Sequence, residues 1–179
     1  MPGFDIASSR VLAHPLLYLA ALGSFFLFTA IPEELVFRIY FQSKAVALAA
    51  GSARRAVAIG VSAGTILFAL FHLPRWFLMS GHGVGPALAS HLLGLTLAGL
   101  AYGLVYALTR NLWLVALFHA TMNQPPFLLT IRIPSDLHLL LGVVEYAAIV
   151  LFTLVTVYVS EPDGIPVTPA RQGASSTGE

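Results

Sequence analysis

The stretch VLAHPLLYLAALGSFFLFTAI, residues 11–31, is almost wholly apolar and decides the fold. A helix of about 20 apolar residues is long enough to cross the hydrocarbon core of a bilayer. We predict that Pro32 separates this segment from the next, since proline is well tolerated in the first turn of a new helix. Further helical segments are predicted over residues 33–50, 56–73, 87–108, 112–123 and 138–159. The sequence therefore predicts an all-α, polytopic membrane helix bundle with about six transmembrane helices.

The composition of the whole chain is that of a membrane protein. Of its 179 residues, 58% are hydrophobic and 9% are charged, whereas soluble domains average about 25% charged residues. The mean hydropathy is +0.84. A formal net charge of +1 gives no basis for nucleic-acid binding, and the absence of cysteine excludes disulfides, zinc–thiolate sites and thiol nucleophiles. The first partner that the composition predicts is the lipid bilayer.

The chain reads as one membrane domain with polar ends. Residues 1–10 form a short polar lead-in, and residues 11–159 form the transmembrane helical domain. Residues 160–179 are rich in Pro, Gly, Ser and Thr, a composition typical of a disordered tail. No soluble domain and no long internal repeat is visible.

The distribution of basic residues predicts an orientation. If all six segments cross, one side holds Arg10, Lys44, Arg54, Arg55, Arg110 and Arg171, and the other holds Arg75 and Arg132. Loops on the cytoplasmic side carry an excess of Lys and Arg. We therefore expect an integral protein of a plasma or inner membrane, with both termini in the cytoplasm.

The second segment carries charges that a bilayer does not tolerate without a reason. An ionisable side chain at mid-bilayer costs about 2.5–3.5 kcal/mol on insertion scales. Glu34 and Arg38 are four residues apart with the acid first, the favourable order for a helical ion pair. Glu33 lies about 100° round the helix from Glu34, and its place behind Pro32 would let the helix dipole favour the ionised form. Such a carboxylate can act as a general base on water; alternatively, the three residues are an ion-pair cluster that fixes helix packing.

Two other segments carry polar side chains that could join these acids. His72 ends the third segment, in Phe68-Ala-Leu-Phe-His72, and is either catalytic or simply hydrogen-bonded at a helix end. His119 and Asn123 lie four residues apart on one face of the fifth segment. They could hold an oxyanion, a water or a metal, or form a polar clamp between helices. With six crossings, Glu33, His72 and the His119–Asn123 pair all fall in the same leaflet.

These residues form three motifs that resemble a known family. Glu33-Glu34-Leu-Val-Phe-Arg38 is similar to the EExxxR motif of the CAAX prenyl protease and bacteriocin-processing membrane proteins (CPBP, or Abi). The stretch from Phe68 to His72 is similar to their FxxxH motif, and that from His119 to Asn123 to their HxxxN motif. The motifs occur in the family's order, each on its own helix, and the resemblance covers roughly residues 25–125.

The resemblance implies an intramembrane endopeptidase. Glu33 would activate the attacking water with the help of His72, and His119 and Asn123 would stabilise the oxyanion. Glu34 and Arg38, with Phe68 as a further supporting residue, would set the local geometry. The substrate would be a peptide or a membrane protein. Because the site is expected towards the non-cytoplasmic side, a peptide leader, a membrane-protein tail or a small secreted peptide is as good a candidate as a prenylated CAAX protein.

Two questions stay open at the level of sequence. A divalent metal, such as zinc, could be held by Glu33, His72 and His119, but the acids are adjacent rather than on an HExxH helix, so we favour a site without a stably bound metal. The alternative function is a catalytically silent scaffold or assembly subunit with a membrane-complex partner. A transporter or proton pathway is a third reading, and the sequence lacks the repeated broken helices that would favour it.

Overall fold

All of the predicted apolar segments are helical in the structure, and these helices form the bundle. The computed structural model describes residues 6–8, 10–127, 129–131 and 137–160. Its elements are β1 (Ile6–Ser8), α1 (Arg10–Ala13), α2 (Pro15–Leu48), α3 (Ala53–Met79), α4 (Pro86–Thr109), α5 (Leu112–Asn123), β2 (Leu129–Ile131) and α6 (His138–Ser160). Four of the six helices, α2, α3, α4 and α6, are long and apolar enough to cross a membrane. The prediction of a polytopic, all-α membrane bundle is confirmed; the short antiparallel pair β1–β2 is an addition to it.

The predicted break at Pro32 is wrong, because α2 continues through it for 34 residues. The helix changes its winding on both sides of the proline. It is π-helical over Phe26–Ala30 and Leu35–Gln42, and α-helical over the short stretch Ile31–Glu34 between them. Proline removes one backbone hydrogen bond and crowds the preceding turn, and membrane helices accommodate this by local adjustments of winding. Pro32 therefore changes the geometry of α2 without ending it.

The third predicted segment also extends farther than expected. The third segment was expected to end at Pro74, but α3 continues beyond it as a π-helical turn over Arg75–Met79. The fifth segment, which Pro125 and Pro126 were expected to kink or interrupt, ends at Asn123, before both prolines. The predicted tail from residue 161 onward, and residues 1–5 of the lead-in, lie outside the described residues.

The long helices alternate in direction across the bundle. Phe37 of α2 contacts Phe68 of α3, with ring centroids 5.3 Å apart, and Gln42 Nε2 donates to Gly103 O of α4 at 3.0 Å. Near the start of α2, Tyr18 Oη donates to Gln124 O, just beyond α5, at 2.8 Å. We call the end of the bundle with Pro15, Met79, Pro86, Asn123 and His138 the Pro15 end, and the opposite end, with Leu48, Ala53, Thr109, Leu112 and Ser160, the Leu48 end.

This path changes the basis of the predicted orientation. Five helices, α2 to α6, run between the two ends, so Arg10 and Ser160 lie at opposite ends. Arg10, predicted on the same side as Lys44, Arg54, Arg55 and Arg110, therefore lies at the opposite end with Arg75, while Arg132 and Arg171 lie outside the described residues. The placement of both termini in the cytoplasm no longer follows from the path of the chain.

Small residues let α2, α3 and α4 approach closely around the polar part of α2. A Cβ atom on Gly60 would lie 2.8 Å from Gln42 O, and one on Gly64 would lie 3.3 Å from Arg38 Nη1. On α4, a Cβ atom on Gly103 would lie 3.1 Å from Gln42 Oε1. Close approach through glycine is common between membrane helices. Here it encloses Arg38 and Gln42 so that both side chains are fully buried.

Candidate active site

A buried ion pair on α2 forms the base of the site. Glu34 and Arg38 are both inaccessible to solvent, and Arg38 Nε donates to Glu34 Oε2 at 2.8 Å. The spacing of four residues brings the two side chains to the same face of the helix, as the sequence predicts. The guanidinium also lies over the Phe68 ring, 5.4 Å from its centroid. The pair is internally neutralised, which is the arrangement that a low-dielectric interior requires.

His119 of α5 connects this pair to Glu33. Its Nδ1 lies 2.9 Å from Glu34 Oε1, and its Nε2 lies 3.8 Å from Glu33 Oε2. An ionised carboxylate can only accept a hydrogen bond, so Nδ1 of His119 carries the hydrogen and donates a hydrogen bond to Glu34 Oε1. The ring stacks on Tyr102, with centroids 5.0 Å apart and an interplanar angle of 23°. These contacts fix the ring and leave Nε2 as the nitrogen that faces Glu33.

Glu33 is the least satisfied acid of the group. Its side chain keeps 19% of its accessible surface, while its Oε2 is buried without a hydrogen-bond partner among the described residues. Glu33 lies near the middle of α2, not in a first helical turn, so the predicted contribution of the helix dipole does not apply: that effect fades within one turn of a helix end. For the same reason the site lies deep in the bundle and not at the end of a span.

His72 and Phe68 of α3 lie on the other side of this group. His72 Nδ1 lies 2.8 Å from Phe68 O, so Nδ1 donates to that carbonyl and Nε2 is the acceptor of the neutral ring. The buried Phe68 ring packs between the two histidines, with centroid distances of 4.7 Å to His72 and 5.9 Å to His119. Phe68 therefore fixes the spacing of the two imidazoles, and its supporting role stays a prediction.

Asn123 ends α5 and is exposed. Its Nδ2 donates to His119 O at 3.1 Å, one helical turn back. An amide nitrogen has two hydrogens, so one N–H remains for another acceptor. The hydrogen bond to the backbone of His119 couples the position of this amide to that of the histidine.

One cavity of about 180 Å³ brings the predicted residues together. It is lined by Phe25, Thr29, Glu33, Phe68, His72, Arg75, Gly94, Leu95, Ala98, Tyr102, His119, Asn123 and Tyr146. A water needs about 10–15 Å³ of such space, so the cavity has room for several. Glu34 and Arg38 lie behind the cavity wall, where Glu34 contacts His119 and neither side chain reaches the solvent.

Eight of the thirteen residues that line this cavity were not predicted, among them the polar Thr29, Arg75, Tyr102 and Tyr146. Thr29 lies four residues before Glu33, and Arg75 three residues after His72, so helical spacing from the motifs could have found both. Tyr146 belongs to α6 and has no motif near it. Only the packing of α6 against α4 shows that Tyr146 lies at the cavity. Its ring contacts that of Tyr102, with centroids 5.9 Å apart.

The residues do not fit the predicted metal alternative. The donation of each histidine Nδ1 to an oxygen is common among zinc ligands, so the donor chemistry alone would be suitable. However, within the part of the chain that the structure describes, no three His, Asp or Glu side chains are grouped closely enough to hold an ion. Glu33 and His119 face each other, and His72 does not complete a three-ligand set with them. We therefore derive no step through a metal.

Comparison with known protein families agrees with the three motifs. The sequence model of the family described as "Type II CAAX prenyl endopeptidase Rce1-like" matches residues 15–124, more than half of the chain. The matched range contains every residue of the three motifs and stops before α6. Comparison with curated proteins and with solved structures gives no match. The family is one of membrane-embedded proteases, and the resemblance drawn from the sequence is confirmed. The chain belongs to the Rce1-like family of type II CAAX prenyl endopeptidases.

Proposed function

We propose that this protein is an intramembrane endopeptidase that uses Glu33 to activate water for attack on a peptide bond. The observation that carries the proposal is the environment of the Glu33 carboxylate. It lines a cavity with room for several waters deep in a membrane bundle, has a buried oxygen without a hydrogen-bond partner among the described residues, and lies 3.8 Å from His119 Nε2. A charge at this depth is costly, and general-base chemistry is a function that would require it.

The reaction follows from the roles that each side chain can take. Glu33 accepts a proton from a cavity water while the water oxygen attacks the carbonyl carbon of the scissile bond. His72 Nε2, the acceptor of that ring, can orient the same water. The C–N bond then breaks, and Glu33 returns its proton to the departing amine. No proton is lost or gained in the cycle.

His119 and Asn123 are suited to stabilise the oxyanion of the tetrahedral intermediate. Glu34 accepts a hydrogen bond from Nδ1 of His119, so Nε2 faces the cavity. When Nε2 also carries a proton, its N–H can donate to the oxyanion. The second N–H of Asn123 provides another donor at the same end of the cavity. Donors that are held in place before the reaction are worth more than mobile ones, and the Glu34–Arg38 pair supplies that support for His119.

The experiment that tests this function is a comparison of membrane and secreted peptides from cells that carry wild type or Glu33→Gln. Under the peptidase proposal, at least one peptide product appears with wild type and is absent with the variant, while its precursor accumulates. Mass spectrometry of both fractions would measure this. If the two peptide inventories agree under every growth condition tested, the proposal fails.

The second candidate is a catalytically silent scaffold or assembly subunit, and one observation favours it. The network of Arg38, Glu34 and His119 is buried and mutually bonded, as a structural cluster would be. Under this reading Glu33→Gln changes the binding of a membrane-complex partner and yields no change in peptides. Co-purification of partners from the same two cell lines separates the candidates.

We also propose that the Leu48 end faces the cytoplasm, in a plasma or inner membrane. Among the described basic residues other than the buried Arg38, Lys44, Arg54, Arg55 and Arg110 lie at the Leu48 end and Arg10 and Arg75 at the Pro15 end, and such an excess marks the cytoplasmic side. The start of α1 would then lie outside and Ser160 inside. The cavity would open away from the cytoplasm, towards Arg75 and Asn123, which makes an extracytoplasmic peptide or a membrane-protein tail the preferred substrate.

Single cysteines test this orientation, because the chain has none of its own. Ser80 and Ala50 are both exposed and lie at opposite ends of the bundle. In intact cells, Ser80→Cys is expected to react with a membrane-impermeant maleimide, and Ala50→Cys to react only after permeabilisation. Gel-shift detection of the labelled protein gives the answer, and the reverse pattern would contradict the proposed orientation.

A further inference from the structure

Arg75 is a cation at the catalytic cavity to which neither the motifs nor the proposed reaction assigns a role. It lies in the π-helical turn Arg75–Met79, is exposed, and lines the same cavity as Glu33, His72 and Asn123. Over the described ranges of the chain, no carboxylate lies within ion-pair distance of its guanidinium, and Glu33 interacts with it electrostatically at longer range. Its charge is thus not neutralised by a short ion pair and can act on a ligand that enters the cavity.

The turn that carries Arg75 is fixed from the opposite side by its neighbour Trp76. The indole Nε1 donates to Gly83 O at 3.1 Å. The indole ring also stacks on His91 of α4, with centroids 4.7 Å apart and an interplanar angle of 22°, and contacts His82 at 4.4 Å. These contacts tie the turn both to α4 and to the connection before it. Arg75 thus projects from an anchored backbone.

We propose that Arg75 binds a carboxylate of the peptide substrate and thereby determines which bond lies over Glu33. Guanidinium and carboxylate form paired, charge-assisted hydrogen bonds whose planar geometry fixes direction as well as distance. The carboxylate is either the C-terminus of the peptide or an Asp or Glu side chain; both present the same group. This inference rests on the proposed peptidase function and adds a specificity determinant to it.

The spacing along α3 limits where that carboxylate can be. Three residues of helix advance about 4.5 Å, and an arginine side chain adds its own length, whereas an extended peptide spans about 3.3–3.6 Å per residue. The carboxylate should therefore lie within about three residues of the cleaved bond. A carboxylate farther away could not reach Arg75 while the bond is at Glu33.

A lipid phosphate is the competing ligand, since arginines near a membrane surface often extend to the headgroups. The position of Arg75 favours the peptide. Arg75 is one of the residues that line the Glu33 cavity, whereas a residue that only anchors the helix in headgroups would need no part in that lining.

Binding to an inactive protein tests the assignment. The probe is a library of fluorescent hydrophobic decapeptides, bound to full-length Glu33→Gln protein in nanodiscs of phosphatidylcholine. One arm compares free C-termini with amides, and a second compares Asp with Asn at each internal position. We expect one arm to show about 10- to 100-fold tighter binding of the carboxylate form. Adding Arg75→Gln should remove this preference, and Arg75→Lys should keep part of it.

A matched control and a kinetic readout make the test decisive. Arg54→Gln removes an exposed arginine at the opposite end of the bundle and should leave the preference intact. In otherwise wild-type protein, Arg75→Gln should raise KM for carboxylate peptides by a larger factor than KM for neutral ones. The inference is overturned if Arg75→Gln retains the carboxylate preference, or if its only effect is weaker binding of vesicles that contain anionic lipid.

The outcomes also separate this inference from the peptidase proposal. Suppose that wild type cleaves library peptides and that Arg75→Gln cleaves acidic and neutral peptides in the same ratio as wild type does. The peptidase proposal then stands and the role of Arg75 fails. If no peptide is cleaved, yet carboxylate peptides bind through Arg75, the peptidase proposal fails and the binding site stands.

Discussion

Glu33→Gln is expected to reduce peptide hydrolysis by at least about 10²–10⁴-fold, the contribution of a positioned general base. The amide has nearly the same shape as the carboxylate but cannot accept the proton of the attacking water. Because Glu33 keeps one fifth of its side chain exposed and takes part in no short ion pair, the substitution should leave the fold intact. The measurement is kcat/KM for a peptide that wild type cleaves, in the same lipid nanodiscs.

The chain offers a matched control for this experiment. Glu145 is an exposed acid in the middle part of α6 that does not line the cavity. Glu145→Gln removes the same charge from the same protein and should leave kcat/KM within about twofold, since surface substitutions away from special features have small effects. If Glu33→Gln retains more than a few per cent of wild-type activity, Glu33 is not the base. If both variants lose activity together, a general loss of charge or folding is responsible.

Removal of Arg38 is expected to have the largest effect on stability. Arg38→Met leaves the Glu34 carboxylate fully buried with His119 as its remaining partner, and breaking a buried ion pair in this way costs about 3–5 kcal/mol. Glu34→Gln leaves the guanidinium similarly unpaired. The double variant Glu34→Gln/Arg38→Met buries no charge at either position and should be more stable than Arg38→Met alone.

This double-mutant cycle also separates stability from activity. The double variant, measured by unfolding in mixed detergent and SDS, should be destabilised by less than the sum of the two single variants, and the difference should exceed the about 0.5 kcal/mol seen for independent sites. Hydrolysis should remain low in the double variant, because His119 has lost the carboxylate that holds its Nδ1. Additive stability effects would show that the pair is not a bonded unit, and full activity of the double variant would show that His119 needs no support.

The sequence by itself determined that this protein lies in a lipid bilayer and which polar residues share a helical face. Apolar runs of about 20 residues must be helical in a bilayer, because each unsatisfied backbone group is costly there. The Glu34–Arg38 pair follows from a spacing of four residues on one helix, and so does the shared helical face of His119 and Asn123. These interactions are local, so the order of residues along the chain is enough to predict them.

Only the tertiary structure decided how the helices use these residues. Pro32 is compatible both with a new helix and with a change of winding inside one, and the packing of α2 against α3, α4 and α5 selects the second. That choice moves Glu33 from a helix end to the middle of a helix and reverses the direction of the preceding chain. The contact of Glu34 with His119, 85 residues away, and the arrival of Tyr146 from α6 depend on the same packing. Interactions between distant segments are set by the shapes of the surfaces that meet, and a single sequence does not display those surfaces.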